Sequence, residues 1–308
     1  MIRISADKCI YSMNSQNPPV TEVEPGATVV FETKDCFSNQ LHAETDLLAS
    51  LDWATINPAT GPLRVRGARP GQVLAVRIED IKVALQGTMI AGPGIGAVGK
   101  HMTHAQTKIV PVEGGEAVFG VSDSGDSGLR LPLRPMIGVI GTAPAPEAGD
   151  IPDGTPGVHG GNMDCKLIGA GTTLYLPVFV EGANLAMGDL HAVMADGEVV
   201  VCGVEVAGEV TVKVELVDPA PGRSTGPVLE TDDAFYCIAS GPSLDEAAAQ
   251  ALDDTLAFLR ARLTLPANEL GMLMSLVCDV QICQVVDPLK TARVRIPKTA
   301  FGRHRLEF

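Results

Sequence analysis

Across its first 215 residues the chain sets short β-forming runs between glycines and prolines, and this punctuation most constrains its fold. Thirty-three glycines and 22 prolines break it into segments too short for long helices. In VTEVEPGATVVFETKD (20–35) a Pro25-Gly26 turn precedes a β-rich run. GARPGQVLAVRIEDIKV (67–83) repeats the device 45 positions later, with Pro70-Gly71 and then Leu74, Val76 and Ile78 in alternation. Aligning the two turns superposes Asp35 on Asp80, which fits related hairpin units or merely a common turn. Further strands are expected at 107–112, 137–141, 173–180, 189–194, 198–206 and 210–217. No helical pattern separates them, so a sandwich or barrel is expected rather than alternating βαβ units.

The last third differs. Ser243-Leu244-Asp245-Glu246 has the form of a capping box. Leu244, Ala248, Ala251, Leu252, Leu256 and Leu259 then form a stripe at helical spacing that ends near Pro266. A second helix is expected over 267–277 and a strand over 278–286. The expected class is mainly β: a sandwich or barrel-like region over 1–220 that carries most of the site, then a smaller α+β portion over 221–308. DPAPGRSTGP (218–227) marks the boundary.

A net charge of −14 with no basic run argues against nucleic acid and anionic membranes as partners. The first residues lack the apolar core of a secretory signal, and no stretch approaches the ~20 apolar residues of a membrane span. Seven cysteines are scattered, odd in number and without a CxxC pair. They fit a reducing, cytoplasmic setting.

Chemistry concentrates in GDLHAVMADGEVVVCGVE (188–205) and HGGNMD (159–164). Carboxylates and imidazoles among glycines and apolar strands need partners, and a divalent ion is one. On a strand, Asp189 and His191 share a face. Asp196-Gly197 signals a tight hairpin that would set Cys202 opposite His191 and leave Glu198 about 13 Å along the strand; a longer, bulged loop would bring Glu198 closer. A hairpin with solvated acids remains the alternative. In HGGNMD, Asn162 and Asp164 sit two apart and can share a face, or simply cap a glycine turn.

AGPGIGAVGKHMTH (91–104) matches both a dinucleotide fingerprint and a phosphate loop in part, but lacks the flanking strand and helix for the first and puts His101 where a Ser or Thr should stand for the second. Lys100 or a backbone amide of this loop would serve as an oxyanion donor if it lines the pocket. His42, Glu44 and Asp46 read as a solvated loop. Cys165, beside Asp164, is a possible nucleophile with His159 or His191 as base.

These strings resemble the acetamidase/formamidase family, most closely its shorter, acetamidase-like members. The resemblance rests on FETKDCFSNQ (31–40), LDWATINPATGPLRVRGARPGQVLAV (51–76), LRLPLRPMIGVIGTAP (129–144), HGGNMDCKLIGAGTTLYLPVFVEGA (159–183), GDLHAVMADGEVVVCGVE (188–205) and CDVQICQVVDPLKTARVRIPK (278–298). Met194 and Ala195 stand where longer formamidase-type members carry Gln-Gly, which leans away from strict formamidase specificity. The resemblance implies a mainly β homo-oligomer, dimeric or larger, that hydrolyses short aliphatic amides to carboxylate and ammonia. It also implies a divalent metal, zinc foremost, with calcium as a second or structural ion. By motif position it assigns the site to His159, Asn162, Asp164, Asp189 and His191, with Glu198 and Glu181 as secondary candidates. On chemical grounds His159, Asp164, Asp189 and His191 would hold the ion, and Glu198 or Glu181 would carry the proton to the leaving nitrogen. The alternatives are a Cys165 nucleophile beside a structural metal, and a non-catalytic β-rich protein that binds a small molecule.

Overall fold

The computed structural model describes residues 1–120, 128–218, 226–301 and 308. Nine strands form one sheet, in the spatial order Ile2–Ile4, Thr28–Thr33, Gly208–Val217, Val73–Val83, Thr173–Pro177, Val228–Glu230, Ala234–Gly241, Lys290–Pro297 and Asp279–Gln284. The strands that follow the two Pro-Gly turns flank Gly208–Val217 on either side. A second sheet of 11 strands runs from Leu129–Pro132 through Glu116–Phe119, Gln106–Glu113, Gln86–Ala91 and Glu205–Val206 to Leu185–His191, Met136–Gly141 and Gly160–Asn162. Ala59–Val65 also pairs with Leu185–His191 and with two short N-terminal strands.

Period-2 patterning builds the core. Along Gly208–Val217, Val210, Val212 and Val214 are buried while Thr211 and Lys213 between them are only partly covered. These valines join Phe31, Leu74 and Val76 of the same sheet and Leu63, Ile137, Ile140 and Met187 of the other in one cluster. The two sheets thus bury a common apolar layer, which is the sandwich the Gly/Pro punctuation implies.

Helices α1 (Leu244–Arg260) and α2 (Ala267–Val277) occupy the C-terminal portion as expected. The Ser243 hydroxyl accepts from the Glu246 amide at 3.2 Å and donates to Glu246 Oε2 at 2.8 Å, closing the N-terminus of α1. Phe258, Leu259, Leu270 and Met274 pack on Val228, Phe235 and Ile296 at the C-terminal end of the nine-stranded sheet. That sheet draws strands from both sides of residue 220, and residues 219–225 of the expected boundary lie outside the described residues. Among the described residues, no helix is long and apolar enough to cross a membrane.

The expected tight hairpin at 189–206 is corrected. Its first strand begins at Leu185 and ends at His191, and only Glu205–Val206 of the second is a strand. Pairing places His191 opposite Glu205, not Cys202, and Ala192 N–H donates to Val204 C=O at 2.9 Å. Asp196-Gly197 does turn, but the chain then turns again, with Glu198 and Val201 both at positive φ. Tertiary ties explain the longer excursion. Asp196 receives a fork of two hydrogen bonds from Arg293, at 2.9 and 2.8 Å, and Gly197 N–H donates to Cys283 C=O at 2.7 Å. A charge-assisted pair to a nearly buried guanidinium outweighs the preference for a two-residue loop.

Candidate active site

Leu185–His191 is buried along its whole length, and its alternation breaks at Asp189. Leu185, Met187 and Leu190 all join the main core, although 187 and 190 would point to opposite faces of a regular strand. Asp189 takes φ 56°, and this left-handed residue resets the alternation. Asp189 and His191 consequently share a side, with Oδ1 3.4 Å from Nε2. Asp164 (φ 42°) and Glu198 (φ 48°) adopt the same region. Three left-handed carboxylate residues in one place represent backbone strain concentrated where a site is built.

Two glycines make room. A Cβ on Gly138 would fall 2.3 Å from Asp189 Oδ2 and 2.6 Å from Asp164 Oδ1, and one on Gly203 would press on the His191 ring at 2.9 Å. His191 Nε2 lies 3.0 Å from Glu205 Oε1 and 3.8 Å from Asp164 Oδ1. Glu205 Oε1 also accepts from the Gly203 amide at 2.7 Å. Ligand atoms of Asp164, His191 and Glu198 lie within 4.8 Å of one another, as do those of Cys36, Asp189 and Glu205.

Charge is crowded here. Burial, with Asp287 nearby, pushes the Asp164 carboxyl well above the usual range. Burial and Asp164 do the same to Glu198, and burial and Glu198 to Asp287. Burial raises Glu205 to about 7 against the pull of His191. For His191 burial opposes the charged ring, but Glu205 and Asp189 outweigh it and raise its pKa well above the ordinary value. Both oxygens of Asp164, Glu198 Oε2, Glu205 Oε2 and His191 Nε2 are buried without a hydrogen-bond partner. Buried acceptors in such number need a cation or protons. The donor set, carboxylates with one imidazole, therefore fits a divalent ion.

Of the residues singled out in the sequence, Asp164, Asp189, His191 and Glu198 come together. The 13 Å separation expected for Glu198 under the two-residue turn is overturned by the longer loop. Asn162, on Gly160–Asn162 opposite Val139, donates from Nδ2 to Asp287 Oδ2 at 3.1 Å and leaves its Oδ1 unpartnered. His159 is buried with Nε2 unpartnered, but it is outside both groups; its ring lies over its own glycine loop, and burial lowers its pKa to about 4. Glu181 is on the surface, its carboxylate 2.7 Å from Arg64. Lys100 is exposed on a 3-10 turn, Gly99–His101, with no following α-helix to complete a nucleotide site. The 91–104 loop does meet the site loop, because Gly96 lets its backbone approach Val199 and Val200. Asp46 accepts from the His42 and Ala43 amides and Glu44 pairs with Lys108, so that trio forms a surface turn. Cys165 is fully buried, with Arg293 Nη1 3.9 Å from its sulfur.

Sequence reasoning missed Glu205, Asp287 and Cys36. Glu205 carried a readable signal: a lone acid in the apolar run GVEVA, where burial without a partner is costly. Asp287 and Cys36 come from distant loops and had none.

Carboxylates around a buried imidazole, set on a β-sandwich, can move the protons that a hydrolysis requires. The Acetamidase/Formamidase family profile matches residues 12–155 and 151–302. The fold is similar to that of an acetamidase from Bacillus halodurans, with TM-score 0.92 and 49% identity over 98% of this chain and 99% of that one. It is also similar to a predicted acetamidase/formamidase from Thermoanaerobacter tengcongensis, with TM-score 0.93 and 43% identity over 100% and 99% of the two chains. A formamidase of Methylophilus methylotrophus is 26% identical over 312 residues, 79% of this chain and 74% of that protein. The chain belongs to the acetamidase/formamidase family. It is an amidase, a hydrolase of carbon–nitrogen bonds in amides.

Proposed function

We propose that this amidase converts short aliphatic amides of the acetamide and formamide type to carboxylate and ammonia with the help of a divalent ion. The buried, unpartnered oxygens of Asp164, Glu198 and Glu205 around His191 Nε2 carry this reading. Asp164, Asp189 and His191 are the proposed ligands, with Glu205 beside them. Zinc is the proposed ion, because an imidazole and, in the adjoining group, the Cys36 thiol accompany the carboxylates; calcium takes oxygen donors. His159, Glu181 and Lys100 stay outside the scheme. When bound, the ion supplies Lewis acidity toward the amide carbonyl and toward water.

The chain's own residues do the rest. Glu198 has a free oxygen beside the cluster and a carboxyl that burial keeps ready to hold a proton. It takes the proton from the attacking water and delivers it to the leaving nitrogen, which departs poorly unless protonated. Asn162 Oδ1 is an unused acceptor and orients the amide N–H of the substrate, while its Nδ2 stays tied to Asp287. Cys165 is spent on structure: it lies beside Cys283 and Arg293 and has no exposed surface from which to attack.

We carry a homo-oligomeric state and a cytoplasmic setting as parts of the same reading. The seven cysteines are all free, five of them buried, as a reducing compartment favours. The test couples elemental analysis of purified protein to ammonia release from acetamide and formamide. Activity should track metal content and vanish after chelation. Full turnover by metal-free protein would remove the ion from the scheme, and no ammonia from any amide would remove the substrate class. Sedimentation velocity checks the subunit count.

A further inference from the structure

Cys36, Asp189 and Glu205 form a second group of buried donors, drawn from three separate parts of the chain. Their ligand atoms lie within 4.8 Å of one another. The loop after Thr28–Thr33 presents the thiol, and it is braced for that. The Asn39 amide donates to Asp35 Oδ1 at 2.7 Å, and the Asp35 amide donates back to Asn39 Oδ1 at 3.0 Å. The Asn57 amide donates to Cys36 C=O at 2.7 Å, so the backbone of Cys36 is tied down. Its sulfur is a free thiol that makes no hydrogen bond among the described residues. Cys202, in the same apolar cluster, differs: its sulfur exchanges hydrogen bonds with the Ile90 amide and carbonyl at 3.3 and 3.4 Å.

Glu205 gives independent evidence of a ligand. Its Oε1 accepts from the Gly203 amide and faces His191 Nε2, whereas its Oε2 is buried with no partner. At 1% exposure such an oxygen needs a cation or a proton. The charge count points to a second cation. With Glu198 holding its proton, Asp164, Asp189, Glu205 and a Cys36 thiolate carry four negative charges. One divalent ion offsets two of them, and two ions offset all four.

We infer that Cys36, Asp189 and Glu205 hold a second divalent cation beside the first, with Asp189 serving both positions. The inference rests on the metal-assisted reading above and deepens it: the centre holds a pair of ions. The two groups adjoin, since His191 Nε2 lies 3.4 Å from Asp189 and 3.0 Å from Glu205. A carboxylate has two oxygens to divide between neighbouring ions. A thiolate beside carboxylates selects zinc over calcium or magnesium. Bound there, the ion would relieve the repulsion between Asp189 and Glu205 and hold the Cys36 loop against their strands.

The experiment titrates metal-stripped enzyme with zinc and, separately, with cobalt(II), whose bond to a thiolate absorbs in the near ultraviolet. Wild type should bind two ions per chain, as two-metal sites do, and show that absorption. Cys36→Ser should lose the absorption and one of the two ions. A single ion per chain in wild type, with acetamide still turned over, overturns the second position and leaves the amidase reading intact. Two ions without the thiolate absorption, or with an absorption that survives Cys36→Ser, overturn the assignment to Cys36. The wild-type titration needs no variant, so poor folding of Cys36→Ser does not shield the inference. Acetamide turnover by enzyme that binds neither metal fails the metal-assisted reading along with this one.

Discussion

His191 and Glu205 face each other on adjacent antiparallel strands, with Nε2 3.0 Å from Oε1. The Gly203 amide fixes that same Glu205 oxygen, so a carboxylate is held beside the imidazole nitrogen that faces the cluster. Groups that flank the proposed ligands of an ion typically change metal affinity 10–100-fold when substituted. Glu205→Gln should therefore weaken metal binding by about that factor while leaving KM for acetamide little changed. Competition against a chromophoric chelator reads the first quantity and steady-state kinetics the second.

Gly138→Ala tests the crowding of the cluster. Its new methyl would lie 2.3 Å from Asp189 Oδ2, a distance no Cβ tolerates. The carboxylates must part, and the variant should lose bound metal and at least about 100-fold in kcat, consistent with the cost of misplaced catalytic groups. Overpacking should also cost about 1–3 kcal/mol in denaturant unfolding. A Gly138→Ala protein with normal metal content and turnover would show that these two acids do not act as a unit.

Cys165→Ser separates the two enzyme mechanisms. The hydrogen bond with Cys283 lowers the Cys165 thiol to about 7 and Arg293 helps, yet the sulfur is fully buried. Reactivity needs access as well as thiolate. Turnover should survive the substitution, and iodoacetamide should leave the folded enzyme active. Complete loss of activity in a folded, metal-loaded Cys165→Ser protein would instead favour the thiol route.

Asp153 gives a pH signature away from the cluster. Burial raises its carboxyl to about 8 in the folded protein, against about 3.9 in an unfolded chain. Its contribution to stability is thus fully present below pH ~4 and is lost as pH rises through about 8. Asp153→Asn keeps the shape without the charge, so its stability relative to wild type should rise between those limits. Urea midpoints across that range check the sign.

Ser243→Ala should cost about 1 kcal/mol, within the 0.5–2 range for a lost N-cap. Thermal unfolding of the variant measures it.

Much of this architecture was legible because it is local. Pro25-Gly26, Pro70-Gly71 and the Ser243–Glu246 box act within a few residues, and their strands and helix lie where the sequence puts them. The clustering of Asp164, Asp189 and His191 was legible too, since acids and imidazole in apolar runs need a common partner. What escaped was long-range. The excursion of 193–203 is held by Arg293 and Cys283, about 90 positions away, and no turn propensity encodes such a tie. Asp287 reaches Asn162 across 125 positions for the same reason.

The tether between Asp196 and Arg293 also bears on how the enzyme comes into being. Arg293 and Asp287 are synthesised long after the strands that hold Asp164 and His191. Chains grow N-terminus first at about 5–20 residues per second, and distant pairings form slowly. Until Lys290–Pro297 pairs with the sheet, the loop that carries Glu198 lacks its tether from Asp196 to Arg293. Amide turnover should thus switch on in one late event, when the last hairpin docks, and not accrue gradually with chain length.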